Sequence, residues 1–200
     1  MTFKVGLTGG IASGKSAVTN LFQTLYAIDI IDADLIAREL VKPGQAAYKE
    51  ILGSFGEKAL LPTGDLDRRY LRERIFANAD QKELLESILH PRIRQQLLND
   101  AEHSRSPYCI LSIPLLVESN MLSLVDRVCV VDTAENTQLF RVQQRDNISA
   151  SSAQAILDNQ CSRQFRLAAA DDIIDNNQSL NELQEQVEAL HFRYLKLASV

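Results

Sequence analysis

Two hundred residues, 46% of them hydrophobic, are enough chain for one globular domain with a substantial core and room for an inserted subdomain. A net charge of −5 excludes nucleic acid as the main partner, because a phosphate backbone needs clustered Lys and Arg, and no apolar run approaches the ~20 residues of a membrane span. Cys109, Cys129 and Cys161 are odd in number, with no C-x-x-C and no His at metal spacing. Cys109 and Cys129 lie in apolar runs and read as buried free thiols. No charged-then-apolar leader opens the sequence, so a cytoplasmic protein is the expectation.

In chain order, 3–7 is short and mostly apolar, as a buried strand is. A glycine-rich loop follows, and then 17–25 carries Val18, Leu21, Phe22 and Leu25 at helical spacing. A second strand is expected over 27–31, ending in Asp32-Ala33-Asp34, and a helix over 35–41, stopped by Pro43-Gly44. Residues 45–104 read as helical apart from a turn at 61–64, with one helix over 67–77 and a long one over 81–102 interrupted at His90-Pro91. A continuous apolar strand spans 108–116 and another 127–131. Helices span 135–145 and 151–160, a short fifth strand 172–174, and an amphipathic helix 180–198. Strands alternating with helices call for a parallel sheet with right-handed crossovers, and the helical block is too long for one crossover. The expected organisation is a five-stranded α/β core (1–42, 105–135 and 168–200), an inserted helical domain (43–104) and a lid (136–167).

Gly9 to Ser16 fits G-x-x-x-x-G-K-S and lies between strand and helix, the context a P-loop needs. Glycines allow the tight turn that points successive N–H groups at a phosphate, and the helix N-terminus adds partial positive charge. Lys15 then reaches the β- and γ-phosphates, and the Ser16 hydroxyl ligates Mg²⁺. Asp32 and Asp34 sit at the carboxyl end of the second strand, where ligands of open α/β sheets collect; on an extended segment they point the same way. One carboxylate suits orienting the metal or its waters and the other accepting a hydroxyl proton, against the alternative that Asp34 N-caps the next helix. Arg141 and Arg145 share a helix face, with Arg163 and Arg166 in the next helical stretch. They are candidates to stabilise a transferring phosphoryl group, or else a solvated basic face balanced by Glu135 and Asp146. His90 reads as a packing or capping residue more than a base. Asp132 and Glu118 read as structural, and Leu115-Leu116 as pocket lining or core. A guanine-nucleotide switch fails: N-K-x-D is missing, and none of the eight glycines has Asp three residues before it. A small kinase of the nucleoside-monophosphate-kinase type remains, a P-loop α/β/α sandwich with ATP as donor.

Six further blocks point to one family. Thr8-Gly-Gly-Ile-Ala-Ser-Gly-Lys-Ser16 with Asp32-Ala-Asp-Leu-Ile-Ala-Arg38 resembles the dephospho-CoA kinase family. So do Gly64-Asp-Leu-Asp-Arg68, His90-Pro-Arg-Ile-Arg94, Pro114-Leu-Leu-Val-Glu118, Gln138-Leu-Phe-Arg-Val-Gln-Gln-Arg145 and Asp171-Asp-Ile-Ile-Asp-Asn176. The resemblance implies transfer of the ATP γ-phosphate to the ribose 3′-hydroxyl of dephospho-CoA, the last step of CoA synthesis, by a chain expected to act as a monomer. It casts Asp34 as general base, with Arg38 in the acceptor-binding helix and Thr8, Asp32, His90, Leu115 and Leu116 on the substrate side. It further places Gly9, Gly10, Ile11, Ala12, Ser13, Gly14, Lys15, Ser16 and Ala17 around the ATP phosphates. Arg141 and Arg145 fall in the lid and Asn176 beside the adenine, and the helical block becomes the CoA-binding domain. Two glycines of the family pattern are missing. Ala12 stands before Ser13, where a side chain is expected to be tolerable only if φ is negative. Leu25-Tyr26 stands for Leu-Gly after the first helix, with a connection to Asp32 one residue longer.

Overall fold

The computed structural model describes residues 2–199. Its frame is a five-stranded sheet of order β2-β3-β1-β4-β5, all strands parallel. β1 (Phe3–Gly9) is central, paired with β3 (Tyr108–Ser112) and β4 (Arg127–Asp132), which is why its run from Val5 onward is buried without alternation. β2 (Asp29–Asp32) and β5 (Asp172–Asp175) are the edges. Helices cover both faces. On one of them α1 (Lys15–Tyr26) and α9 (Leu180–Ala198) bury Val18, Phe22, Leu183, Val187 and Tyr194 against Val5, Leu7, Ile110 and Val131. α9 starts on a capping box, Ser179 with Glu182, and spans the residues expected for it.

Three expected boundaries move, each for a local reason. α1 runs through Tyr26 and closes on Ala27, whose left-handed backbone (φ 50°) returns its N–H to the Gln23 carbonyl, so β2 starts only at Asp29. There the Asp29 carboxylate accepts from Ser104 Oγ (2.7 Å) and the Arg105 N–H (2.8 Å), which hold its pKa below the ordinary value. β3 stops at Ser112 instead of 116. Ile113 still donates to the Leu7 carbonyl, but Pro114 has no N–H to continue the ladder. The long helix α5 (Ala79–Glu102) is not interrupted at His90-Pro91; it passes through Pro91. The missing N–H of Pro91 leaves the Ser87 carbonyl without its helical donor, and one turn on the Arg92 guanidinium donates to the Ile88 carbonyl (2.6 Å).

The chain divides into two compact units. One takes in the chain up to Asp32 and from Asp100 onward, and so holds the sheet with α1, α6 (Glu135–Asp146), α7 (Ala150–Asp158), α8 (Arg163–Ala168) and α9. The other, Ala33–Asn99, holds α2 (Ala33–Leu40), α3 (Ala46–Phe55), α4 (Arg68–Ala77) and most of α5 around Ala47, Ile51, Leu66, Leu71 and Ile88. The boundary expected at 42/43 thus falls one helix late, because Val41, just past α2, packs on that second core. No helix among the described residues is long and apolar enough to cross a membrane. The three cysteines are free, and burial pushes the Cys109 and Cys129 thiols up to about 11 and about 12.

Candidate active site

β1 delivers the chain to Gly9 at the carboxyl edge of the sheet, and α1 begins at Lys15. A Cβ at Gly9 would lie 2.6 Å from the Val131 carbonyl oxygen, and one at Gly14, where φ is +95°, would strike the Asn176 amide. Glycine is required at both. Between them the loop carbonyls are drawn outward by side chains. Ile11 O accepts from Gln138 Nε2 (2.8 Å), Ala12 O from Arg141 Nη1 (3.3 Å), and Ser13 O from Thr133 Oγ1 (3.0 Å) and Asn176 Nδ2 (2.7 Å). A trans peptide points its N–H opposite to its C=O. The N–H groups of Ala12 and Gly14 therefore point away from those side chains, while that of Ser13 donates to the Gly10 carbonyl (3.0 Å). With the first turn of α1 behind it, this is a cradle for an anion. Ala12 sits at φ +55°, not at the negative φ expected, so it holds a glycine's conformation with a side chain attached.

The expected arginine group is split by its partners. Arg141 is half-buried and bridges the carbonyls of Ala12 and Asn176. Arg145 is exposed and doubly bonded to Asp146 at 2.8 Å, which raises its pKa. Arg163 is likewise doubly bonded to Asp132 (2.8 and 2.6 Å), and this pairing holds the Asp132 carboxyl below its usual range. Buried Arg166 donates to the Cys161 carbonyl (2.9 Å) and faces Glu118 at 3.7 Å. Thr8 spends its hydroxyl on the Pro114 carbonyl (3.0 Å). Leu115 and Leu116 do not act as a pair: they lie on a turn, which leaves Leu115 exposed and Leu116 in the core beneath Gly6. Ser16 and Ala17 are exposed at the start of α1. No group of three His, Cys, Asp or Glu able to hold a metal occurs among the described residues. The Ser16 hydroxyl at the cradle fits a Mg²⁺ whose other ligands are phosphate oxygens and waters.

Asp32 ends β2, and Asp34 is already in the first turn of α2. The argument that both point one way on an extended segment therefore fails, because the chain turns helical at Ala33; Asp34 is inside the helix, not its cap. Within the helical unit Asp34 borders a cavity of about 370 Å³ with Arg38, Arg68 and Arg72 and an apolar wall that includes Val41, Leu66, Ile75 and Leu89. An adjoining hollow of about 380 Å³ shares Arg38 and Arg68 and adds Lys42 and Arg69. His90 is half-buried in α5, its pKa pushed down by that burial, and it lines neither hollow.

Thr133 and Gln160, which hold the loop, were not anticipated. Each contact spans more than a hundred residues, and neither residue type carries a local motif. Comparison with known proteins agrees with the loop and the strand order. A family model described as dephospho-CoA kinase matches residues 3–182. The dephospho-CoA kinase of Vibrio vulnificus is 48% identical over 198 residues, covering 99% of this chain and 98% of that one. The solved dephospho-CoA kinase of Campylobacter jejuni is 30% identical with a TM-score of 0.71, covering 98% of both chains. TT1252 of Thermus thermophilus superposes with a TM-score of 0.83 at 25% identity, over 96% of this chain and 97% of that one.

Proposed function

Since the chain belongs to the dephospho-CoA kinase family, it phosphorylates dephospho-CoA with ATP in coenzyme A synthesis, and we propose how its own residues divide that work. The observation that carries the proposal is the loop at 9–14, whose carbonyls are drawn outward by Gln138, Arg141, Thr133 and Asn176 so that its amides face a phosphate. ATP binds there, with Lys15 on the β- and γ-phosphates and Arg141 and Asn176 behind the loop. Mg²⁺, held by Ser16 and the nucleotide, would neutralise charge on the phosphates.

The acceptor belongs to the helical unit. Its cavity is apolar on one wall and carries Arg38, Arg68 and Arg72 on another, which suits a molecule with a diphosphate and a long uncharged arm. Asp34 borders the same cavity and is cast as the base that accepts the proton of the ribose 3′-hydroxyl as it attacks the γ-phosphorus. No covalent intermediate is needed: positioning and charge neutralisation supply the rate. Residues 136–167, bearing Arg141 and Arg145, act as the lid that excludes water.

The test is incubation with ATP, Mg²⁺ and dephospho-CoA, with products read by mass. The expected result is a dephospho-CoA species heavier by one phosphoryl group, formed in step with ADP, and its loss in Lys15→Ala. Consumption of ATP with no such product, or faster transfer to a nucleoside or a sugar acid, would overturn the assignment.

A further inference from the structure

Both backbone polar groups of Ile11 are taken by glutamines from the 136–167 segment. The Ile11 N–H donates to Gln160 Oε1 (2.9 Å), and its C=O accepts from Gln138 Nε2 (2.8 Å). Each glutamine is itself fixed. Gln138 is buried at 5% exposure within α6, and Gln160 adjoins Cys161, whose N–H donates to Glu118 Oε1 (3.1 Å) and whose carbonyl accepts from Arg166 (2.9 Å). The next residue is Ala12 at φ +55°. That torsion is the rotation between the peptide plane shared by Ile11 and Ala12 and the Ala12 carbonyl carbon. Gln138 anchors the first through Ile11 O, and Arg141 the second through Ala12 O (3.3 Å). Alanine disfavours left-handed backbone by roughly tenfold against the right-handed form, so something outside the loop has to hold it there.

We propose that Gln138 is a positioning residue for the nucleotide: by fixing the peptide plane that Ile11 shares with Ala12, while Gln160 fixes the plane before it, Gln138 holds Ala12 in the left-handed conformation that keeps the loop's amides turned toward the phosphates. The proposal rests on the reading that this loop is the ATP site. A relaxed Ala12 would rotate the neighbouring amides out of the cradle, weakening nucleotide binding without touching the acceptor cavity. It would also leave the fold intact, since the buried apolar cluster around β1 includes neither glutamine.

The decisive variant is Gln138→Ala, with half-exposed Gln160→Ala beside it as the milder change and melting temperature as the control for folding. Direct ATP binding and KM for ATP should weaken roughly fivefold to tenfold, the scale of one lost hydrogen bond and the released torsion, while KM for dephospho-CoA stays within twofold. Made in an Ala12→Gly background, Gln138→Ala should cost less than twofold, because glycine adopts the left-handed conformation without strain. An unchanged ATP affinity in Gln138→Ala would overturn the proposal, and so would an equal loss in both backgrounds. Lys15→Ala separates this from the reading beneath it. If Lys15→Ala loses ATP and the glutamine variants do not, only the clamp fails; if Lys15→Ala binds ATP as wild type does, the loop is not the nucleotide site and both fall.

Discussion

The phosphate loop and the acceptor cavity are made rigid by opposite means. At the loop the side-chain restraints are polar and come from afar: Thr133, Gln138, Arg141 and Asn176 each spend a side chain on a loop carbonyl. In the helical unit the framework is apolar, Ala47, Ile51, Leu66, Leu71 and Ile88 packed from successive helices, and the charged groups Asp34, Arg38, Arg68 and Arg72 stand exposed at its border. A triphosphate is the same in every kinase reaction and rewards a cradle fixed in advance. An acceptor with a long arm is met by long cationic side chains that adjust to it. Damage at the loop should therefore weaken ATP binding, and damage at the cavity border affinity for the acceptor.

The largest expected effect tests the exception to that division. Asp34 lies on the acceptor side yet is assigned chemistry, so Asp34→Asn should lower kcat by about 10²–10⁴ while ATP binding, measured by titration, stays near wild type. Turnover within a few-fold of wild type would remove Asp34 as base. Next in size, Arg68→Ala should raise KM for dephospho-CoA about tenfold, since Arg68 borders both hollows, and leave KM for ATP alone. A rise in KM for ATP instead would dissolve the contrast between the two regions.

Each compact unit also carries one histidine whose protonation burial opposes, His90 in α5 and His191 in α9. His191 stacks on Tyr26 at 3.9 Å and hydrogen-bonds Tyr108 Oη at 2.9 Å through Nδ1. With a folded pKa below the unfolded value near 6.5, the native state takes up fewer protons than the unfolded state as pH falls through that range, so acid lowers stability. Melting temperature should thus decline from pH 7 to pH 5, and less steeply in His191→Gln than in wild type, even though that variant starts lower. Parallel curves would show that His191 adds nothing to the slope.

What could be read from the sequence is what the backbone decides locally. G-x-x-x-x-G-K-S between a strand and a helix gave the cradle, and the alternation of strand and helix gave the parallel sheet. What could not be read is where distant side chains land. Thr133 and Gln160 look like ordinary polar residues until β4 and the end of α7 bring them to the loop, and the sequence does not show that Arg145 and Arg163 are doubly bonded to Asp146 and Asp132. The Asp32 and Asp34 argument failed on one residue, Ala33, where strand becomes helix with no loop between. Pro91 misled in the opposite way: α5 continues through it, at the cost of one backbone hydrogen bond to Ser87.

Two alanines in left-handed backbone sharpen the contrast at its smallest scale: Ala12 at φ 55°, where the family pattern has glycine, and Ala27 at φ 50°, the residue after Leu25-Tyr26. Ala12 is held by side chains from other elements. Ala27 is exposed and held only by the end of its own helix, its N–H on Gln23 O (3.1 Å) and the next N–H, of Ile28, on Phe22 O (3.3 Å). Glycine at 27 removes about 1 kcal/mol of backbone strain and returns part of it as extra freedom of the unfolded chain. Ala27→Gly should therefore stabilise the fold by about 0.5 kcal/mol, roughly 1–2 °C in melting temperature for a chain of this length, with kinetic constants unchanged. A lower melting temperature would mean that the left-handed turn after α1 is not strained, and that the same conformation at Ala12 needs no clamp to explain it.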